Sequence, residues 1–489
     1  MRSGLRPHQI RALDLLRASL RSGKRRPVLQ LPTGAGKTVI GCAVVSGALA
    51  KGNRVGFVVP AISLIDQTVR AFHREGITDV GVVQADHELT NPHAPVQVCS
   101  IQTLQRRAYP GADVVLVDEC HKLFKAQTEW MADERWRKVP FVGLSATPWT
   151  SGLGKHYDDL LVATTTQELI DAGYLSPFRV FGPASPDLTG VKTVAGDYHE
   201  GQLAEAMDKP DLTADIVSTW TRLGENRPTL VFAVNRAHAR HIQADYERAG
   251  VPCGYVDAHT TIEEREDIRQ QFHDGRLKVV SSVGCLTTGV DWDVRCIVLA
   301  RPTQSDMLFV QMIGRGLRTA SGKGDCLILD HSDTHQRLGF VTDIGRSKLC
   351  TGKEKKSSGG AREKRQKLPS VCSSCSFIKP AGVHECPSCG FAPKHIEGVA
   401  VADGELTQIG GKTAQVPIEE KRRWYAELLG YQQLHNKNPK FAVANYKNKF
   451  GVWPDRKHDV EPREPSPEVL SYLKSRQIAW AKRQQRQAA

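Results

Sequence analysis

Leu31-Pro-Thr-Gly-Ala-Gly-Lys-Thr38 stands between a short apolar run, Val28-Leu-Gln-Leu31, and a second apolar segment, Val39-Ile-Gly-Cys-Ala-Val-Val45. That order predicts a strand, a glycine-rich loop and the start of a helix, an arrangement in which backbone N–H groups and a helix N-terminus cradle a polyphosphate. Gly34 and Gly36 let the backbone turn its N–H groups inward, and Thr33 and Ala35 complete the loop. Lys37 can reach the β- and γ-phosphates, and the Thr38 hydroxyl can hold Mg2+. Only the short form Gly-x-Gly-Lys-Thr is present, so the reading depends on what the rest of the chain adds.

Asp113-Val-Val-Leu-Val117 runs directly into Asp118-Glu-Cys-His121. Four consecutive apolar residues ending in two acids place those carboxylates at the end of a buried strand. Asp118 there can hold Mg2+ through water, and Glu119 can orient and deprotonate the attacking water. A further strand, Phe141-Val-Gly-Leu144, ends in Ser145-Ala-Thr147-Pro148. Near the start, Arg6 and Gln9 precede an apolar stripe at helical spacing, Ile10, Leu13, Leu16 and Leu20. The Gln9 amide both donates and accepts, which suits an adenine edge as well as an ordinary surface position.

The second half repeats the alternation. Thr229–Val234, Tyr255–His259, Val279–Ser282, Cys296–Ala300 and Asp325–Asp330 read as strands, with helices over Asn235–Ala249 and Glu263–Asp274. Such spacing implies a second parallel, doubly wound sheet. Asp171 to about Gly196 reads as connector. In Gln311-Met-Ile-Gly-Arg-Gly-Leu-Arg318, Arg315 and Arg318 stand at i and i+3, on one face of an expected helix. A guanidinium aimed at a γ-phosphate from a neighbouring domain stabilises the charge of phosphoryl transfer.

Gly-Lys-Thr, Asp-Glu-Cys-His, Ser-Ala-Thr and Gln-x-x-Gly-Arg-x-x-Arg, in this order, resemble motifs I, II, III and VI of superfamily 2 helicases of the DExH branch. The resemblance implies two tandem RecA-like domains (P-loop NTPase fold) closing on ATP. It gives Gln9, and with it Arg6, contact with adenine, and adds Gln311 to the nucleotide site. Thr288, Gly289 and Asp291 fall on the marked positions of motif V. Ser145 and Thr147 would couple the ATP site to a nucleic-acid groove, with His121 between the two.

Twelve cysteines include two tight pairs, Cys372-Ser-Ser-Cys375 and Cys386-Pro-Ser-Cys389, ten residues apart. Paired knuckles with so short a loop point to one tetrahedral thiolate-bound ion, Zn2+ before an iron–sulfur cluster. Residues 341–489 carry 27 Lys+Arg against 15 Asp+Glu, net +12, whereas residues 1–340 carry 39 against 38, net +1. That asymmetry favours a polyanionic partner, with a merely solvated tail as the alternative. Basic segments with interleaved aromatics follow in Ile418–Gly430, Phe441–Phe450 and Glu468–Gln487. The aromatics Tyr446, Phe450, Trp453, Tyr472 and Trp480 can be stacking platforms for single strands or core residues.

The expected architecture is therefore α/β. It comprises two doubly wound parallel-sheet domains (1–168 and 169–344), a basic linker (345–370), a four-cysteine zinc ribbon (371–392) and a mainly helical basic region (393–489). The ribbon and the tail stretches Glu427-Leu-Leu-Gly-Tyr431 and Tyr446-Lys-Asn-Lys-Phe-Gly-Val-Trp-Pro454 look like those of the RadD family of DNA-repair proteins. This resemblance implies a DNA helicase or translocase acting on single-stranded or branched DNA, with other repair or single-strand-binding proteins as partners. An RNA-dependent DExH helicase, a DNA-bound adaptor with incidental ATPase and a restriction motor subunit are the alternatives. No apolar run approaches the ~18 residues of a membrane span, and Met1-Arg-Ser-Gly-Leu-Arg6 lacks a signal-peptide core, so a cytosolic, bacterial or phage-encoded protein at the nucleoid is expected.

Overall fold

A computed structural model describes residues 4–84, 87–182, 186–194, 196–286, 292–352, 368–392, 418–450, 452–454, 460–474 and 476. The chain divides into two compact units, Met1–His395 and Ile396–Ala489. Among the described residues no helix is long and apolar enough to cross a membrane.

The first unit holds two parallel sheets. Sheet one contains β1 (Pro27–Gln30), β2 (Val55–Val59), β3 (Val80–Val83), β4 (Val96–Ser100), β5 (Val114–Asp118), β6 (Phe141–Ser145) and β7 (Asp159–Val162), in the order β3-β4-β2-β5-β6-β1-β7. Its strands are short Val-rich runs, and β2 is buried at every position. Strands of this kind need cover on both faces, which the intervening helices supply. Parallel pairing sets Gln30 beside Ser145 and Asp118 beside Leu144, so β1, β5 and β6 end at one level. In open α/β sheets such carboxyl ends are where ligands bind.

Sheet two contains β8 (Phe178–Phe181), β11 (Thr229–Phe232), β12 (Cys253–Val256), β13 (Val279–Ser282), β14 (Cys296–Leu299) and β15 (Cys326–Asp330), in the order β12-β13-β11-β14-β15-β8. Between β8 and β11 lies a small antiparallel pair, β9 (Thr193–Val194) and β10 (Asp197–Tyr198). The connector expected over Asp171–Gly196 thus contains a sheet strand and the first strand of that antiparallel pair. Pro177 and nearby glycines disguised β8, which pairs with β15 along Phe178–Phe181. The hairpin is tied down through Asp197, whose carboxylate accepts from Thr303 Oγ1 at 2.8 Å and the Gln304 amide at 2.7 Å, just past β14.

Two further pieces of the first unit dock on these sheets. Residues 346–352, expected as linker, return to the first domain, where Leu349 packs on its core and the Gly154 amide donates to the Cys350 carbonyl at 2.8 Å, while Arg346 pairs with Asp306 of the second domain at 3.3 Å. The basic run Lys353–Lys367 lies outside the described residues. The four-cysteine segment carries β16 (Ser370–Val371) and β17 (Ile378–Lys379) and joins the β8 edge. Gly182 donates to the Ser376 carbonyl at 2.8 Å, and the Phe181 and Phe377 rings meet edge to face at 5.5 Å.

The second unit is a small helical body. Helices Ile418–Leu434 and Phe441–Phe450 and a helical stretch over 467–474 enclose Trp424, Leu428, Ala442, Tyr446, Val469 and Leu473. Residues 393–417 and most of the terminal helix expected to Gln487, Trp480 included, lie outside the described residues.

Candidate functional site

The loop after β1 enters the helix Lys37–Leu49 through Gly34 (φ 88°) and Gly36 (φ 84°), both in the left-handed region where an L side chain is strained. The loop is closely watched from the N-terminus. His8 Nε2 lies 2.9 Å and Gln9 Nε2 3.2 Å from the Ala35 carbonyl, while Gln9 Oε1 accepts from the Arg6 amide at 2.9 Å. Gln9 is therefore engaged by the phosphate loop and its own helix start, and Arg6 lines the cavity beside it.

Lys37 Nζ donates to Glu119 Oε1 at 2.5 Å. Burial alone pulls the Lys37 ammonium down, but the Glu119 and Asp118 carboxylates outweigh it and hold its pKa above the ordinary value. The two acids separate. Burial pushes the Asp118 carboxyl up, Lys37 counters it in part, and the Glu119 charge adds to the rise. Glu119 is also opposed by burial, yet Lys37 and then His121 hold it well below the usual carboxylate range. Adjacent carboxylates sharing one cation cannot ionise equally easily, which is how such sites assign different roles to like groups. Glu119 adopts φ 46°, left-handed backbone for a non-glycine residue. Strain of that kind costs about 1–3 kcal/mol and turns the carboxylate toward Lys37.

His121 connects this pair to the neighbouring strand and to the other domain. Its Nδ1 lies 2.9 Å from Ser145 Oγ and 3.3 Å from Glu119 Oε2. Ser145 Oγ also accepts from the Thr147 amide at 3.0 Å. From the second domain, Gln311 Nε2 reaches Thr147 Oγ1 at 3.4 Å and His121 Nε2 at 3.5 Å. The three expected coupling residues outside motif V, His121, Ser145 and Thr147, therefore meet one another and Gln311 in one network.

A cavity of about 500 Å3 runs along this seam, lined from one domain by Arg6, Lys37, Thr38 and Glu119 and from the other by Arg315 and Arg318. The arginines do not share a helix face as expected. The helix Asp306–Gly316 ends before Arg318, which sits in an isolated antiparallel bridge with Leu175 of the interdomain segment. Both guanidinium-bearing residues still reach the same cavity. Thr288, Gly289 and Asp291 lie outside the described residues.

The segment Tyr174-Leu175-Ser176, expected as part of the connector, brings Tyr174 to the cavity. Tyr174 lines the cavity, with the Arg6 guanidinium 4.7 Å above its ring. Ser176 N donates to the Leu317 carbonyl at 2.7 Å. An aromatic after a turn glycine was the only available signal. Gly314 shows how close the domains come: a Cβ there would stand 2.6 Å from Thr33 Cβ. Gly314→Val should therefore hold the helix off the phosphate loop and lower ATP turnover by roughly 10²-fold, as a misplacement of about 1 Å can. Nucleotide binding and turnover measured side by side check this, with binding expected to persist.

The four cysteines also converge. Their sulfurs lie within 4.8 Å of one another, with Cys372–Cys389 at 3.8 Å and Cys375–Cys386 at 3.7 Å. Tetrahedral ligation at the Zn–S length of about 2.3 Å requires S···S edges of about 3.8 Å. The donor set fits a single ion and is too tight for the several irons of a cluster. After each knuckle the chain turns through a positive φ, at Ser376 (61°) and Gly390 (71°), with amides returning to the Cys372 and Cys386 carbonyls at 2.9 and 2.8 Å.

The two sheets, with a phosphate loop on one and the paired arginines on the other, have the tandem RecA-like arrangement of P-loop NTPases. Residues 2–150 match the family described as type III restriction enzyme, res subunit, and residues 208–320 the helicase conserved C-terminal domain. Together these matches indicate a superfamily 2 helicase that hydrolyses ATP. Among relatives, a 51.5 kDa protein of a Lactococcus phage (isolate 7-9) is 26% identical over 427 residues, covering 86% of this chain and 90% of that one. A Saccharomyces cerevisiae protein named as an ATP-dependent helicase, IRC3, is 28% identical over 351 residues, 67% of this chain and 51% of the yeast protein. The chain thus spans about half of that relative. A fragment named as an HsdR subunit of a type I restriction enzyme from Vibrio vulnificus YJ016 shares the fold, with TM-score 0.53 at 19% identity over 68% of this chain and 65% of that one.

Proposed function

We propose that the chain is a DNA-dependent ATPase that couples domain closure to movement along DNA in repair or recombination, as in RadD-like proteins. The observation that carries this reading is the cross-domain network: Gln311, Arg315 and Arg318 of one domain meet His121, Thr147 and the Lys37–Glu119 pair of the other around one cavity. In this reading Lys37 exchanges Glu119 for a phosphate oxygen of ATP, which frees the carboxylate to accept a proton from water. Arg315 and Arg318 offset the γ-phosphate charge, and the segment Thr33–Thr38 supplies backbone donors. Mg2+, held by Thr38 and Asp118, would neutralise phosphate charge. Arg6 and Gln9 frame the base, and the motif V resemblance would give Gly289 and Asp291 a role in nucleotide binding and Thr288 a role in coupling.

DNA rather than RNA is favoured by the res-subunit match over residues 2–150, and the net +12 of residues 341–489 suits a nucleic acid of either kind. The phage relative supports a phage-encoded or bacterial protein at the nucleoid. The four cysteines would hold Zn2+ as a structural ion. Metal analysis should find one zinc per chain, and Cys386→Ser should lose it and lower the melting temperature, because so small a unit folds around its metal. Iron in place of zinc would contradict this assignment. The function is tested by comparing ATPase stimulation and strand displacement on single-stranded, forked and duplex DNA and on RNA. Stimulation by DNA is expected, and stimulation by RNA alone would overturn the substrate.

A further inference from the structure

The aromatic residues of the C-terminal unit divide sharply. Trp424 and Tyr446 are each 1% exposed and form its core. Phe450 packs on Trp424 and Tyr446, Tyr472 on Trp424, and Tyr431 stacks on Phe441. Trp453, just beyond the helix Phe441–Phe450, is 61% exposed, and among the described residues no other ring lies against it. Val452 beside it is 50% exposed. The group that does meet the indole is a cation: Lys447 Nζ stands 3.9 Å from its ring centroid. Lys440 and Lys449 are exposed on the same short segment, and Lys440–Trp453 contains no acidic residue.

We propose that Trp453 and Lys447 form a base-stacking site for single-stranded nucleic acid. An exposed indole offers a broad apolar face with a polar edge, the kind of side chain that binding surfaces use. Lys447 covers one face with its ammonium, whose charge can also attract a phosphate, which leaves the other face for a base. Stacking of this kind is tolerant of sequence, since every base has a π-face, and duplex bases have theirs already stacked. The surface therefore selects strand state rather than sequence. The proposal rests on the reading that the chain acts on nucleic acid and adds the residues by which its tail grips a separated strand.

The test measures equilibrium binding of the full chain to a fluorescent oligo-dT and to a duplex of equal length across a salt series. Trp453→Ala should weaken single-strand binding by roughly 5- to 150-fold, the range for loss of one stacked base. Duplex binding should change little, and Trp453→Phe should restore most of the affinity. Lys447→Gln should lower the salt slope for the single strand by about 1. A superimposable melting curve for Trp453→Ala establishes that the unit is folded, and the Lys447 slope decides the matter if it is not. Unchanged single-strand affinity in folded Trp453→Ala, or an unchanged slope in Lys447→Gln, overturns the site and leaves the exposed indole to a protein partner. If ATPase is stimulated by nucleic acid in that case, the functional reading stands without this site. If no polymer stimulates it, both fall.

Discussion

Glu119→Gln lowers ATP turnover by roughly 10²- to 10⁴-fold, the range a positioned general base contributes, while ATP and nucleic acid still bind. The amide is nearly isosteric and keeps an oxygen for Lys37 Nζ, which now stands 2.5 Å from Glu119 Oε1. What it loses is basicity. The carboxylate is held ionised by Lys37 and His121 against its burial, whereas Asp118 next to it is pushed the other way. The roles of the two acids should therefore not be interchangeable, and Asp118→Asn should act through metal retention instead. Single-turnover hydrolysis with saturating ATP checks the first variant. Wild-type turnover in Glu119→Gln would remove Glu119 from the chemistry.

Arg315→Ala should cost more, roughly 10³- to 10⁵-fold in turnover, as expected for a guanidinium supplied across a domain interface to the transferring phosphoryl group. Arg315 is nearly buried in the last turn of Asp306–Gly316, and that helix is pressed on Thr33 through Gly314. A rigid element thus carries the charge to the cavity. Arg315→Lys should not rescue, because an ammonium lacks the planar fork that meets two phosphate oxygens. Nucleotide affinity measured beside turnover separates the outcomes. A variant that hydrolyses normally would mean that the second domain does not complete the site.

Much of this arrangement was legible because its signals are local. A glycine loop between apolar runs and two acids ending a Val-rich strand each report a single strand end, and parallel pairing of β1, β5 and β6 then brings Lys37, Asp118 and Ser145 together. The misread parts depend on long-range contacts. Phe178–Phe181 is too short and too closely flanked by Pro177 and Gly182 to announce a strand, and it becomes one by pairing with β15. Arg318 was placed by helical periodicity, but the helix stops at Gly316 and Leu175 captures the following backbone. Tyr174 offered only the weak cue of an aromatic after a turn glycine, which does not say that it lies against Arg6. In the tail, composition alone could not say which aromatics are core, and burial separates Trp424 and Tyr446 from Trp453.

The central claim is that the two domains form one ATP site whose completion nucleic acid controls. Steady-state ATP hydrolysis by the full chain, measured as single-stranded DNA is titrated in at saturating ATP, tests it most directly. Turnover should rise to a plateau in the wild type and stay at the floor in Arg315→Ala. A wild-type rate that is the same with and without DNA or RNA would contradict the account.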